Sequence, residues 1–213
     1  MNTAMTFTNE QLKLIEKHRH INVDCGWYEH IYEDFVNRLL LEYCINVTAI
    51  NFSGFWSQGD GASFEANIVN DQQFLEAHGL ADSYPTVYKF VCGGGLLDMV
   101  CDRFPSTHCH ENTMFVSWSN DMRFWDIPPY DKCDPMGDDL RDIILRDLQA
   151  KLEIELTELE ESMTEVFRDH ARDLYKTLEQ EYDFLTSDQE VWEAIKANEL
   201  DTREEDHEEL QRA

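Results

Sequence analysis

The sequence predicts an α+β fold: two N-terminal helices on an antiparallel sheet of β-hairpins, followed by a long acidic helical region and a short C-terminal helix. Three patterns carry that prediction. Apolar residues recur at helical spacing across residues 24–43, switch to every second position at 50–56 and 62–68, and return to steps of four from 140 to 182 within a strongly acidic stretch.

Taken in order, Thr8 and Gln11 form a capping box ahead of Leu12 and Ile15, so a first helix starts there and ends near His20. Asn22 or Asp24 caps a second helix in which Trp27, Ile31, Phe35 and Leu39 fall at steps of four. The period then becomes two. Ile50, Phe52, Gly54 and Trp56 share one face of a strand, and Ala62, Phe64, Ala66 and Ile68 share one face of the next. The intervening SQGDG reads as a short hairpin loop in which Asp60-Gly61 accepts positive φ.

Residues 72–78 read as a helix, Pro85 as a break, and Gly93, Gly94 and Gly95 as an interruption of an apolar segment. Residues 106–119 read as extended structure, with Met114, Val116 and Trp118 alternating beyond a turn near Glu111 and Asn112, which makes a second hairpin. Pro128, Pro129 and Pro135 stiffen a connection, residues 126–137, between an α+β domain at 1–125 and an acidic helical region at 138–200. In that region an apolar line runs from Leu140 through Leu152, Leu159, Phe167 and Leu174 to Tyr182. Its steps of four outnumber its steps of three, so it packs on the sheet or on a second copy of the chain without requiring a coiled coil. Ser187 with Glu190 opens the last helix. The acidic tail at 201–213 has almost nothing apolar to bury, and disorder is expected there.

Charge bounds the function. The chain carries 44 acidic and 17 basic residues, a formal net charge of -27, which repels nucleic acid and attracts basic macromolecules. The six cysteines include no CxxC pair, the opening lacks a basic segment followed by an apolar one, and no apolar run reaches the roughly 20 residues of a membrane span. A reducing cytoplasm, with free thiols and no membrane association, is the expected setting.

Four groups of residues could carry chemistry. At the hairpin, Trp56, Ser57, Gln58 and Asp60 place an aromatic ring, a hydroxyl, an amide and a carboxylate close together, but no lysine and helix follow, so this is no phosphate loop. A turn that lets the backbone pack closely is the simpler reading. His108 and His110, flanking Cys109, would point to one face of a strand and could share a metal ion, though no second ligand pair has convincing spacing. Asp24, Glu29, Glu33 and Asp34 crowd the second helix and read as a solvated face rather than an acid–base pair. Asp142, Asp147, Glu153, Glu158, Glu161, Glu165 and Asp169 are regularly spaced carboxylates along the long helical region. No catalytic arrangement and no cofactor motif emerges, and a non-enzymatic role is favoured.

Residues 19–35 (RHINVDCGWYEHIYEDF), 50–66 (INFSGFWSQGDGASFEA) and 178–200 (LEQEYDFLTSDQEVWEAIKANEL) together resemble an uncharacterised family of small proteins from tailed bacteriophages and prophages. Members are often labelled antitoxin of a toxin–antitoxin system. HCHENTMFVSW at 108–118 is similar to the family's later strands, whereas the triple glycine and the extended acidic helix depart from its pattern. The resemblance implies a small phage regulator or counter-defence protein in the bacterial cytoplasm. The acidic helix would then imitate nucleic acid and occupy the basic groove of a host nuclease, restriction enzyme, polymerase or toxin. A competing reading gives the GFWSQGDG hairpin a small molecule or nucleotide, with Trp27 or His110 beside it and Arg19, Arg38 or Arg103 converging on the anion. A third uses the 140–182 apolar line for homo-oligomerisation.

Overall fold

The computed structural model describes residues 6–118 and 137–200, and for residues 137–145 the backbone alone. Of the expected proline connection at 126–137 all but Gly137, where α5 begins, lies outside the described residues, as do Cys133 and the acidic tail at 201–213. Among those described there are six helices and four strands in the order α1 (Asn9–Lys17), α2 (Glu29–Tyr43), β1 (Ile45–Phe52), β2 (Ala62–Ile68), α3 (Asp71–Ala77), α4 (Pro85–Cys92), β3 (Met99–Arg103), β4 (Met114–Trp118), α5 (Gly137–Leu185) and α6 (Asp188–Ala197). The α+β class is as expected. The chain divides into two compact units, Met1–Tyr32 with Lys176–Ala213, and Glu33–Tyr175. Helices α2 and α5 each contribute to both, so the acidic helical region is not a body of its own.

In the first unit the Thr8 hydroxyl accepts from the Gln11 N–H, and the Gln11 side chain accepts from the Thr8 N–H, so the capping box is made in both directions. Ile15 of α1 meets Val191 and Ile195 of α6 in a small core with Phe7, Leu14, Ile21 and Trp192 around it. Arg19 clamps the start of α6, donating to the Asp188 carboxylate and to the Thr186 carbonyl. Neither expected cap of α2 performs that task. Asn22 donates to the Leu185 carbonyl, and Asp24 accepts from Gly26 within the preceding turn. Trp27 lies ahead of α2, with its ring against Tyr28 and Tyr182.

The second unit holds a four-stranded antiparallel sheet in the order β1-β2-β3-β4. The first hairpin starts five residues earlier than the period-two run indicates, at Ile45, and ends at Phe52, leaving Gly54 and Trp56 in the loop. Its register slips between Val47 and Ala49, a bulge that an alternation count cannot reveal. The second hairpin is longer than expected: β3 pairs with β4 from Met99↔Trp118 to Arg103↔Met114, and residues 104–113 connect them. Pro85 is not a break but the first residue of α4, where its fixed φ and missing N–H suit a helix start.

Helix α5 closes the unit. Phe64 of β2 lies between Phe35 of α2 and Phe167 of α5, with ring centroids 5.2 and 5.7 Å apart. Leu152, Leu156, Leu159, Met163, Phe167, Ala171 and Leu174 are all buried, so this stretch of the apolar line is spent within the chain. Polar contacts fix the register. Tyr84, the N-cap of α4, makes no side-chain cap; Glu155 of α5 supplies one instead, accepting from the Thr86 and Val87 N–H groups at 2.7 and 3.0 Å and from the Thr86 hydroxyl at 2.6 Å. An anionic acceptor at a helix N-terminus satisfies free donors and complements the helix dipole. The Tyr84 hydroxyl in turn reaches Ser162 and the Glu158 carbonyl.

Where α2, α3 and α5 meet, Tyr43, Phe74, His78 and His170 pack ring on ring, and both histidine Nε2 atoms are buried without a hydrogen-bond partner. Burial pushes the His78 imidazole down to about 4, with His170 adding to the effect. Burial also lowers His170, Arg38 acts in the same direction, and Asp173 and Asp169 partly offset them.

Two outcomes follow from these contacts. Glu155→Ala leaves two helix N–H groups without their acceptor and lowers stability by about 2–3 kcal/mol in urea unfolding, while Glu155→Gln, which keeps an acceptor, loses about half as much. The histidine cluster makes the fold acid-sensitive. Its folded pKa values lie below the unfolded value near 6.5, so the stabilisation is complete above about pH 6.5 and is lost as pH falls toward 4. A tenfold difference in proton affinity between the folded and unfolded chain is worth about 1.4 kcal/mol, and since His78 is partly exposed the expected loss is about 1–2 kcal/mol. The half-buried Asp71 carboxyl, pushed up by desolvation, acts in the opposite sense. Comparing urea midpoints of the native chain and His78→Phe across that window cancels it, and the variant shows the shallower slope.

Candidate functional site

The GFWSQGDG hairpin is built around one carboxylate. Asp60 Oδ2 accepts from the N–H groups of Trp56 and Ser57 at 2.9 and 2.6 Å, and the Asp60 N–H donates to the Ser57 carbonyl at 3.0 Å. The Ser53 N–H to Gly61 carbonyl bond closes the base. Positive φ occurs at Gly54 and Gly59, +41° and +97°, and not at Asp60-Gly61 as expected. Phe55 packs against Phe52 and Tyr175. Trp56 meets the Phe55 ring edge-on, with centroids 5.9 Å apart, and is 75% exposed.

The glycines make room for a second loop. A β-carbon on Gly59 would lie 2.1 Å from His108 Nδ1, and one on Gly61 would lie 2.8 Å from the His110 Cα. His108 and His110 are thus brought to the hairpin by backbone closeness. They sit in the 104–113 connection rather than on a strand, so the expected shared face is absent. Arg103 holds this connection by donating to the His108 carbonyl. His110 Nδ1 accepts from the Asn112 N–H at 3.2 Å and lies 2.9 Å from a Glu111 oxygen. One nitrogen cannot do both: a ring with no hydrogen on Nδ1 caps the 3-10 turn at Glu111–Thr113, and one that carries a hydrogen there donates to Glu111. Among the described residues no three His, Cys, Asp or Glu side chains are grouped to hold a metal ion. The five described cysteines are unpaired, and burial pushes the Cys101 thiol up to about 12.

Helix α5 presents the other predicted group. At about 100° per residue, Asp147, Glu158, Glu161, Glu165 and Asp169 fall within an arc of roughly 80°, opposite the buried stripe. All five are exposed. Glu153 is exposed but falls outside that arc, and the side chain of Asp142 lies outside the described residues. The row is not uniformly anionic. Lys151 pairs with Asp147 at 2.8 Å, Arg172 bridges Glu165, Asp169 and Glu111, and Ile154, 60% exposed, interrupts the surface. The Glu165 hydrogen bond, with Glu111 and Asp169 beside it, raises the Arg172 guanidinium further above its ordinary value. Glu111 links the hairpin side to α5 through Arg172, a connection across 61 residues that no local spacing announces.

Each of the three arginines named for an anion has a partner of its own: Arg19 holds Asp188 in the first unit, Arg38 lies over the Phe35 ring, and Arg103, the last residue of β3, donates to the His108 carbonyl. Trp27 belongs to the first unit and the hairpin to the second. Glu29, Glu33 and Asp34 are exposed, as a solvated face requires.

The loop geometry separates structural from binding roles. Gly59→Ala meets both a disfavoured φ and the His108 ring and destabilises by about 2–3 kcal/mol, and Asp60→Ala strands two N–H groups and costs about 1–3 kcal/mol. Gln58→Ala leaves stability within about 0.5 kcal/mol. Thermal unfolding of the three single variants checks the order; a Gln58 variant as unstable as the other two contradicts it.

No curated protein and no solved structure matches the chain. Residues 27–188, most of its length, match a domain of unknown function, DUF8835, and the chain belongs to that family.

Proposed function

We propose that the chain is an acidic binding protein that inhibits or neutralises a basic protein of a bacterial host. The role is counter-defence or antitoxin-like, as the resemblance to tailed-phage proteins implies. The observation that carries this reading is the division of α5 into an apolar stripe buried from Leu152 to Leu174 and an opposite, exposed row of carboxylates. Anchoring matters because a charge array held in place loses little freedom on binding and steers a cationic partner during encounter.

Imitation of nucleic acid is a partial description at most. Lys151 and Arg172 neutralise the two ends of the row, leaving Glu158 and Glu161 as its open anionic centre, with Ile154 adding an apolar contact. A mixed interface of this kind favours a protein groove over a uniform polyanion mimic. The alternative, a nucleotide or other small molecule at the hairpin, has less support: Asp60 Oδ2 is held by the loop's own N–H groups, and Arg103, at the end of β3, already donates to the His108 carbonyl.

Immobilised full-length chain, challenged with bacterial lysate, is expected to retain a basic protein near 50 mM salt and release it by about 300 mM, where screening shortens the reach of exposed charges. Glu158→Gln with Glu161→Gln weakens that retention roughly tenfold. Retention insensitive to both salt and the double substitution, or a nucleotide co-purifying with the chain, overturns the proposal.

A further inference from the structure

β4 ends the sheet, yet its outer edge is occupied. The Val116 N–H donates to the Thr164 hydroxyl at 3.0 Å, and Arg168 donates to the Met114 carbonyl at 3.0 Å, so side chains of α5 take the positions an added strand would need. Between edge and helix lies a cavity of about 440 Å³, lined by Phe115 of β4 and by Glu160, Glu161, Glu165 and Arg168 of α5. That volume is in the range of ligand sites, roughly 300–1,000 Å³.

Its chemistry selects a cation with an apolar stem. Arg168 lies 3.7 Å from Glu165, which Arg172 also holds, so that carboxylate is already neutralised. Glu160 and Glu161 have no ion-pair partner among the described residues. Phe115 stacks on Phe104 with ring centroids 4.4 Å apart, and Phe104 is 56% exposed, so aromatic surface adjoins the two open carboxylates. Carboxylates beside an aromatic face attract an ammonium or guanidinium group, through charge-assisted hydrogen bonds and cation–π contact, and repel phosphate.

Resting on the proposed binding of a basic protein, we infer that this cleft receives a lysine or arginine side chain of that partner, its alkyl stem on Phe115 and its charged head at Glu160 and Glu161. A protein source is favoured over a free polyamine by Arg168, which lines the cleft with its side chain 26% exposed. A peptide brings backbone carbonyls that can accept from that guanidinium, whereas a polyamine brings only donors.

The test uses the ¹⁵N-labelled full chain at low salt, with a blocked tetralysine peptide and spermidine as probes. The peptide is expected to shift the amide signals of Phe115 and Val116 saturably and to bind more tightly than spermidine. Glu160→Gln with Glu161→Gln weakens it at least about tenfold, while Glu33→Gln with Glu153→Gln, an equal change of charge at exposed positions outside both the cleft and the carboxylate row, weakens it less than about threefold. Equal weakening by the two pairs, or no shift at β4, removes the cleft but leaves salt-dependent capture of a basic protein standing. Spermidine binding as tightly as the peptide makes it a site for free amines and overturns the inference as well. Failure of the lysate capture with the cleft still binding peptide would sink the broader reading alone.

Discussion

The second unit depends on burial of one stripe of α5. Seven apolar residues from Leu152 to Leu174 leave water against the sheet and its flanking helices, and full burial of such a side chain contributes about 1.5–3 kcal/mol before conformational entropy is set against it. The stripe also determines where charge goes. An α-helix that turns one face wholly inward must turn the opposite face outward, and the sequence has placed carboxylates there. The acidic surface is therefore a geometric consequence of the core, and its row is as rigid as the packing behind it.

Not every carboxylate belongs to that surface. Glu155 caps α4, Asp71 accepts the Leu97 N–H, and Asp60 organises the hairpin. Each sits where backbone donors lack a partner, so the chain uses part of its negative charge to satisfy N–H groups that helix starts and tight turns leave open. A net charge of -27 thus overstates the charge available to a partner. Part of what remains lies along α5, and there it is locally offset by Lys151, Arg168 and Arg172.

Local patterns were legible where local physics decides the structure. The capping box of α1, the stripe Ile31, Phe35 and Leu39 of α2, the alternation in β2 and the Ser187 cap of α6 are all settled by neighbours within four residues. Legibility failed where distant groups decide. Pro85 begins a helix because Glu155, far along the chain on α5, accepts the N–H groups behind it. β3 is short and glycine-flanked, and its identity as a strand comes from pairing with β2 and β4. The candidate site divides in the same way: the carboxylate row follows from helical spacing, but the cleft needs β4 beside α5, and the approach of His108 and His110 to Gly59 and Gly61 is visible only in three dimensions.

That last approach explains why a loop rich in polar side chains reads as scaffold and not as a reaction centre. Glycine was needed at 59 and 61 because a neighbouring chain segment occupies the space of a β-carbon, a requirement of packing. Asp60, the side chain best suited to act on a ligand, already holds two N–H groups through Oδ2 and so sets the shape of the loop. The loop's carboxylate is therefore turned to its own backbone, while the open carboxylates, Glu160 and Glu161, line a cavity beside exposed aromatic surface. Where polar groups are spent inward a structure is being held. Where they stand unpaired at the edge of apolar surface, they are placed for something that arrives from outside.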